Sequence, residues 1–90
     1  MNRADELHVK IQTPESVIWE GEAQSVSSEN SLGPFDILPE HANIVSLIEH
    51  KPIIVITSSG KQEFTFERAV ISLRDNRVSV LGDITSQKGN

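Results

Sequence analysis

The sequence predicts an all-β fold, a flattened sandwich or barrel of about eight to ten short, mostly antiparallel strands. Three observations carry this. No stretch of about ten residues holds the 3.6-residue periodicity of an amphipathic helix, turn-forming residues recur about every 8 to 12 positions, and the apolar residues either alternate or sit in short β-branched blocks.

The first strand runs from Leu7 to Gln12, with Leu7, Val9 and Ile11 on one side and His8, Lys10 and Gln12 on the other, the two-residue period of a half-buried strand. Thr13-Pro14-Glu15 ends it. Ser16–Glu20 is a second β segment, and Gly21 allows a turn or bulge before a third, Glu22–Ser28, rich in small polar residues. Ile44–Ile48 is short and apolar on both faces, the pattern of a buried strand, and Glu49-His50-Lys51 connects it onward. Pro52–Thr57 holds the strongest β-former run of the chain, Ile53-Ile54-Val55-Ile56. Ser58–Lys61 turns it back into Gln62–Glu67, where Phe64 and Phe66 share a face. A second hairpin joins Ala69–Arg74 to Arg77–Leu81 through Asp75-Asn76, two residues that tolerate positive φ. Residues 1–5 and the polar residues 85–90 are expected to be disordered, leaving 6–84 as one domain.

Between the third and fourth of these segments lies Glu29–Asn43, in which Leu32, Phe35, Ile37 and Leu38 stand among residues that break regular structure. Gly33-Pro34 excludes a helix, and Pro39 pushes Leu38 into an extended conformation. Four apolar side chains in such a setting are expected to be buried, which makes the stretch either a crossover packed on the core or a contact surface for a partner.

Composition bounds the function. Ninety residues form one small core. Without cysteine there is no disulfide framework, zinc-thiolate site or thiol nucleophile. Thirteen acidic residues against eight basic ones, a formal charge of -5, argue against a nucleic-acid partner. No apolar run approaches the length of a spanning helix, so membrane association is expected only through a partner.

Candidate chemistry is sparse. His8, His41 and His50 fall on separate elements without the spacing of metal ligands, and no metal site is expected; solvated or hydrogen-bonded histidines are. For His41 a packing or interface role stands beside plain exposure. The serines lack a nucleophile-elbow context. Glu20 with Glu22, and Asp36 with Glu40, are pairs that general acid-base work could use, but two acids on a solvated face explain them more simply. Trp19 is read as a core filler, with an interface anchor as the alternative. No catalytic residue and no cofactor is expected, so the chain does not read as an enzyme.

The order of elements and the segment Ile37-Leu38-Pro39-Glu40-His41-Ala42, followed by the aliphatic Ile44–Ile48, resemble the N-terminal β-sandwich domain of the epsilon subunit of F-type ATP synthases. That family carries a loop of the form Gly-x-x-Gly-hydrophobic-Leu-Pro-Gly-His-Ala-Pro before an aliphatic strand. The likeness spans about residues 6 to 84. Here Asp36 and Glu40 stand where the family has glycines, and Asn43 where it commonly has proline. The family's C-terminal helical hairpin has no counterpart, as in a short form or a sequence ending at the domain boundary.

The resemblance implies a non-catalytic rotor subunit on the cytoplasmic face of a bacterial inner membrane. Its partners would be the gamma subunit and the c ring, and it would couple ion translocation to ATP synthesis or hydrolysis. The contact loop it implies comprises Leu32, Gly33, Phe35, Asp36, Leu38, Pro39, Glu40, His41 and Ala42. The alternative is a generic β-sandwich ligand- or protein-binding module, which would want exposed aromatics on one face; the chain has only Trp19 and three phenylalanines.

Overall fold

The computed structural model describes residues 5–83, so the expected disordered start, Asp5 apart, and the expected tail lie outside the described residues. Among these residues nine strands form two sheets. They are β1 (Leu7–Gln12), β2 (Val17–Ala23), β3 (Ser25–Asn30), β4 (Gly33–Ile37), β5 (Ile44–Glu49), β6 (Pro52–Thr57), β7 (Gly60–Thr65), β8 (Arg68–Arg74) and β9 (Arg77–Gly82). One sheet has the order β2-β1-β9-β8-β5, the other β4-β3-β6-β7. Every pairing is antiparallel except β1 with β9.

The core lies between the sheets. Leu7, Val9 and Ile11 of β1, Ile71 and Leu73 of β8, and Val78 and Val80 of β9 meet Val26, Ile37, Ile53 and Val55 of the other layer. These are the inward positions of the two-residue alternation. The Asp75-Asn76 hairpin forms as expected, both residues at positive φ (50° and 63°), the two-residue turn whose twist matches that of the strands it joins.

Four expectations are corrected. Gly21 makes no turn. It pairs with Val9 inside β2, and the indole of Trp19 lies over it so closely that a Cβ there would stand 3.1 Å from Cζ2. The chain passes between the sheets at Gln24, whose N–H donates to Ile56 O at 2.7 Å. The irregularity in this strand lies earlier, where Ile11 pairs with Trp19 but Gln12 with Val17, leaving Ile18 as an extra residue.

Secondly, part of the turn-rich stretch is a strand. The Oδ1 of Asn30 accepts the N–H of Leu32 at 2.9 Å and Gly33 adopts φ 124°, so Ser31-Leu32 is a tight turn and residues 33–37 run back along β3. Pro34 is tolerated because β4 is an edge strand, where a missing N–H removes no second ladder bond. The four apolar residues of the stretch then divide. Ile37 is fully buried and Phe35 packs partly on the core, while Leu38 is 54% exposed and Leu32, at the turn, 95% exposed.

Thirdly, β5 is the other kind of edge. Only Ile48 is buried, Ile44 packs partly on the core, and Val45 (77% exposed) and Leu47 point outward. A doubly apolar run here reports one core face and one open face. Lastly, β7 ends at Thr65 and Phe66 lies beyond it, its ring over Gly82, where a Cβ would clash with it. Phe64 and Phe66 still both pack on the core.

The sandwich closes along both sides. Trp19 of β2 meets Phe64 of β7 with ring centroids 6.5 Å apart, so it is the core filler of the first reading. On the opposite side Asn30 Nδ2 of β3 donates to Ser46 Oγ of β5 at 2.9 Å. Ser28, the one buried polar residue among those described, donates to Pro52 O at 2.9 Å, so its burial leaves no unpaired group.

Candidate docking surfaces

The nine residues of the expected contact loop do not form one surface. Leu32 and Gly33 lie at one end of β4, and Leu38, Pro39, Glu40, His41 and Ala42 follow its other end; five residues of strand, about 16 Å, separate the two groups. Phe35 and Asp36 lie on β4 itself, and Asp36 is held by a hydrogen bond from Ser27 Oγ on β3.

The second group is fixed from outside. Glu40 takes φ 71°, the left-handed region that glycine enters without cost and glutamate does not. Its N–H donates to Asn76 Oδ1 at 2.7 Å, and Asn76 Nδ2 donates to Glu40 Oε2 at 3.1 Å. Asn43 Oδ1 accepts the N–H of Asp75 at 3.1 Å. The loop is thereby clamped to the β8–β9 turn, and Asn76 O in turn accepts the N–H of His8 at 2.9 Å. His41 N–H donates to Leu38 O at 3.1 Å. Its ring Nδ1 lies 2.6 Å from Ala42 O; since a carbonyl only accepts, Nδ1 carries a proton.

Glu40, His41, Asn43, Asp75 and Asn76 line a shallow polar hollow at this end. Asp75 and Asn76 were absent from the expected site, although the turn they form was legible. Glu40 and Asn43, two of the three departures from the resembled loop, are the residues whose side chains make the clamp.

A third surface is the outer face of the five-stranded sheet. Across it the register aligns Leu47 of β5 with Val70 of β8, Leu81 of β9, Gln12 of β1 and Val17 of β2. Val45 lies in the next row, opposite Ser72. This apolar strip is flanked by charge. On one side the Arg68 and Glu49 side chains pair at 3.6 Å; on the other, His8 Nδ1 lies 2.9 Å from Glu22 Oε2 and His8 Nε2 2.7 Å from Glu20 Oε2. Those hydrogen bonds, Glu22's first and Glu20's second, raise the His8 imidazole above its ordinary pKa of 6.5. Sequence reading placed His8, Glu20 and Glu22 on polar faces but had no way to join them before the β1–β2 register was known. Asn43, Ile44, Val45, Ser72 and Arg74 line a groove joining this face to the clamped loop.

Among the described residues no three His, Cys, Asp or Glu side chains are grouped to hold a metal ion, and no helix is long and apolar enough to cross a membrane. What the molecule displays is apolar surface on a closed β scaffold, with ordered turns at both ends of an edge strand, which defines a small β-sandwich domain. Its sequence matches the family described as ATP synthase, Delta/Epsilon chain, beta-sandwich domain over residues 6–87, and the chain belongs to that family.

Relatives agree. The ATP synthase epsilon chain of Streptomyces avermitilis is 33% identical over 85 residues, covering 90% of this chain and 66% of that one. The epsilon chain of Campylobacter concisus is 32% identical over 95 residues, covering 96% and 74%. The chain thus spans about two thirds of the length of the curated relatives it matches. In fold, it superposes on a chain of the Euglena gracilis mitochondrial ATP synthase OSCP/F1/c-ring structure with a TM-score of 0.81 at 13% identity, covering 91% of this chain and 53% of that one. A chain of the Tetrahymena thermophila central stalk/c-ring structure gives 0.73 at 10% identity, with 99% and 79% covered.

Proposed function

We propose that this chain is the sandwich domain of a non-catalytic central-stalk subunit in an F-type ATP synthase, peripheral on the cytoplasmic face of a bacterial inner membrane. The clamped loop Leu38–Ala42 and the adjoining outer face of the five-stranded sheet hold the gamma subunit. The β3–β4 turn carrying Leu32 meets the c ring. The observation that carries this reading is Leu32: a leucine 95% exposed on a turn that Asn30 holds in shape has no role in the core and is placed to be covered by another protein. Val45 and Leu47 stand exposed in the same way beside Val70 and Leu81.

Mechanically the arrangement suits a rotor part. Two sheets closed along both sides by Trp19–Phe64 and Asn30–Ser46 resist shear between layers, and neither docking end depends on an unsupported loop. The test is to measure binding of purified gamma subunit and purified c ring separately. Leu32→Ser is expected to weaken ring binding about tenfold or more and leave gamma binding unchanged, whereas Val45→Asp is expected to do the reverse. Both being neutral for both partners overturns the assignment.

A further inference from the structure

We propose that His8, Glu20 and Glu22 form a proton-operated switch on the outer face of the five-stranded sheet, in which loss of the His8 proton releases Glu20 to Lys10 and leaves that face one charge more negative. The inference rests on the reading that this face takes the gamma subunit, and it adds a regulation of that contact.

The geometry sets the protonation state. Each ring nitrogen of His8 stands within hydrogen-bond distance of a carboxylate oxygen, 2.9 Å from Glu22 and 2.7 Å from Glu20. A carboxylate only accepts, so both nitrogens must donate, and only the imidazolium has two N–H groups. When the proton leaves, one nitrogen presents a lone pair to a carboxylate oxygen, and that contact becomes repulsive.

Glu20 is the arm with somewhere to go. It faces Lys10 directly across the β1–β2 ladder, whereas Glu22 faces His8 itself. Lys10 makes no ion pair among the described residues. The other charges near the ring are Arg77 of β9, the ladder partner of His8, Arg74 of β8 opposite Arg77, and Glu6 two residues before His8. Of the side-chain types gathered here, histidine is the one whose ordinary pKa puts its change of charge near neutrality.

The sign follows from linkage. A histidine whose folded pKa lies above 6.5 contributes its ion pairs fully below that value and loses them as pH rises through the folded value. Above that point the face has lost a positive charge and is more negative in net, which favours a basic contact, the complement expected for a chain of charge -5.

Two measurements on the 90-residue chain test this. In an NMR titration, the His8 ring is expected to change protonation above pH 6.5, with the Glu20 side-chain carboxyl shifting at the same midpoint; in Glu20→Gln/Glu22→Gln the midpoint falls. Binding to the purified gamma subunit is expected to tighten roughly two- to five-fold through that midpoint, the size of one exposed charge pair, and His8→Gln flattens the profile. A His8 midpoint at or below 6.5, or a Glu20 carboxyl blind to it, overturns the switch whatever gamma does. An intact NMR response with gamma affinity flat or weakening through the midpoint overturns the regulation while leaving the gamma reading standing. Absence of gamma binding at every pH removes the reading itself.

Discussion

The two ends of β4 do similar work by opposite means. At one end, Ser31-Leu32 is a two-residue turn stabilised by its own neighbour, Asn30, whose side chain serves both the turn (Leu32 N–H) and the facing strand (Ser46). At the other, Leu38–Asn43 is a longer loop with no ladder of its own, held by three contacts from a hairpin far along the chain: Glu40 to Asn76 twice and Asn43 to Asp75. A turn with local chemistry keeps its shape alone. A loop without it needs a distant partner, and its conformation becomes a property of tertiary structure.

Breaking the distant clamp should therefore have the largest effect. Asn76→Ala removes both side-chain bonds to Glu40 and puts a Cβ residue without a compensating side chain at φ 63°; a loss of about 3 kcal/mol is expected, read as a lower Tm and faster hydrogen exchange at the Glu40 amide. Gly33→Ala attacks the local turn, where φ 124° suits only glycine. About 2 kcal/mol is expected there, with the Glu40 amide still protected, so the pair of variants shows whether the two ends are independent.

The finest comparison is at Glu40. Glu40→Ala keeps the left-handed backbone and loses the carboxylate's bond, and should cost about 1 kcal/mol. Glu40→Gly loses the same bond but removes the backbone strain, and should lie within roughly 0.5 kcal/mol of the parent. Equal unfolding midpoints for the two variants would show that φ at this position carries no cost.

Most of the strand pattern was legible because a two-residue period writes itself into sequence: β1, β6, β8 and β9 begin and end within a residue or so of where Leu7, Ile53, Ala69 and Arg77 place them. The misplacements share a cause. Gly21, Gly33 and Pro34 are residues whose local meaning is a break, yet Gly21 sits in a strand because Trp19 needs the space above it, and Pro34 because β4 has no neighbour on one side. Neither reason is local.

The docking surfaces were legible in part. The loop drew attention through its motif, but motif residues adjacent in sequence were split between two ends of a strand that breakers concealed. The Asn76 clamp and the His8 cluster were invisible because each joins residues brought together only by the tertiary fold, the first across a loop and a turn and the second across the β1–β2 register. Val45 and Leu47 were mistaken for core because an apolar residue on an edge strand carries no mark of which way it faces.

The parallel pairing of β1 with β9 governs how the molecule comes into being. β1 pairs in the finished sheet with β9, the most distant in sequence of the nine described strands, and β9 alone links the β1–β2 pair to the β5–β8 pair. Without residues 77–82 that sheet has no ladder between its β1–β2 and β5–β8 pairs. Such a topology, rich in distant contacts, is slow to fold, because the entropy of closing long stretches of chain must be met before the pairings that reward it can form.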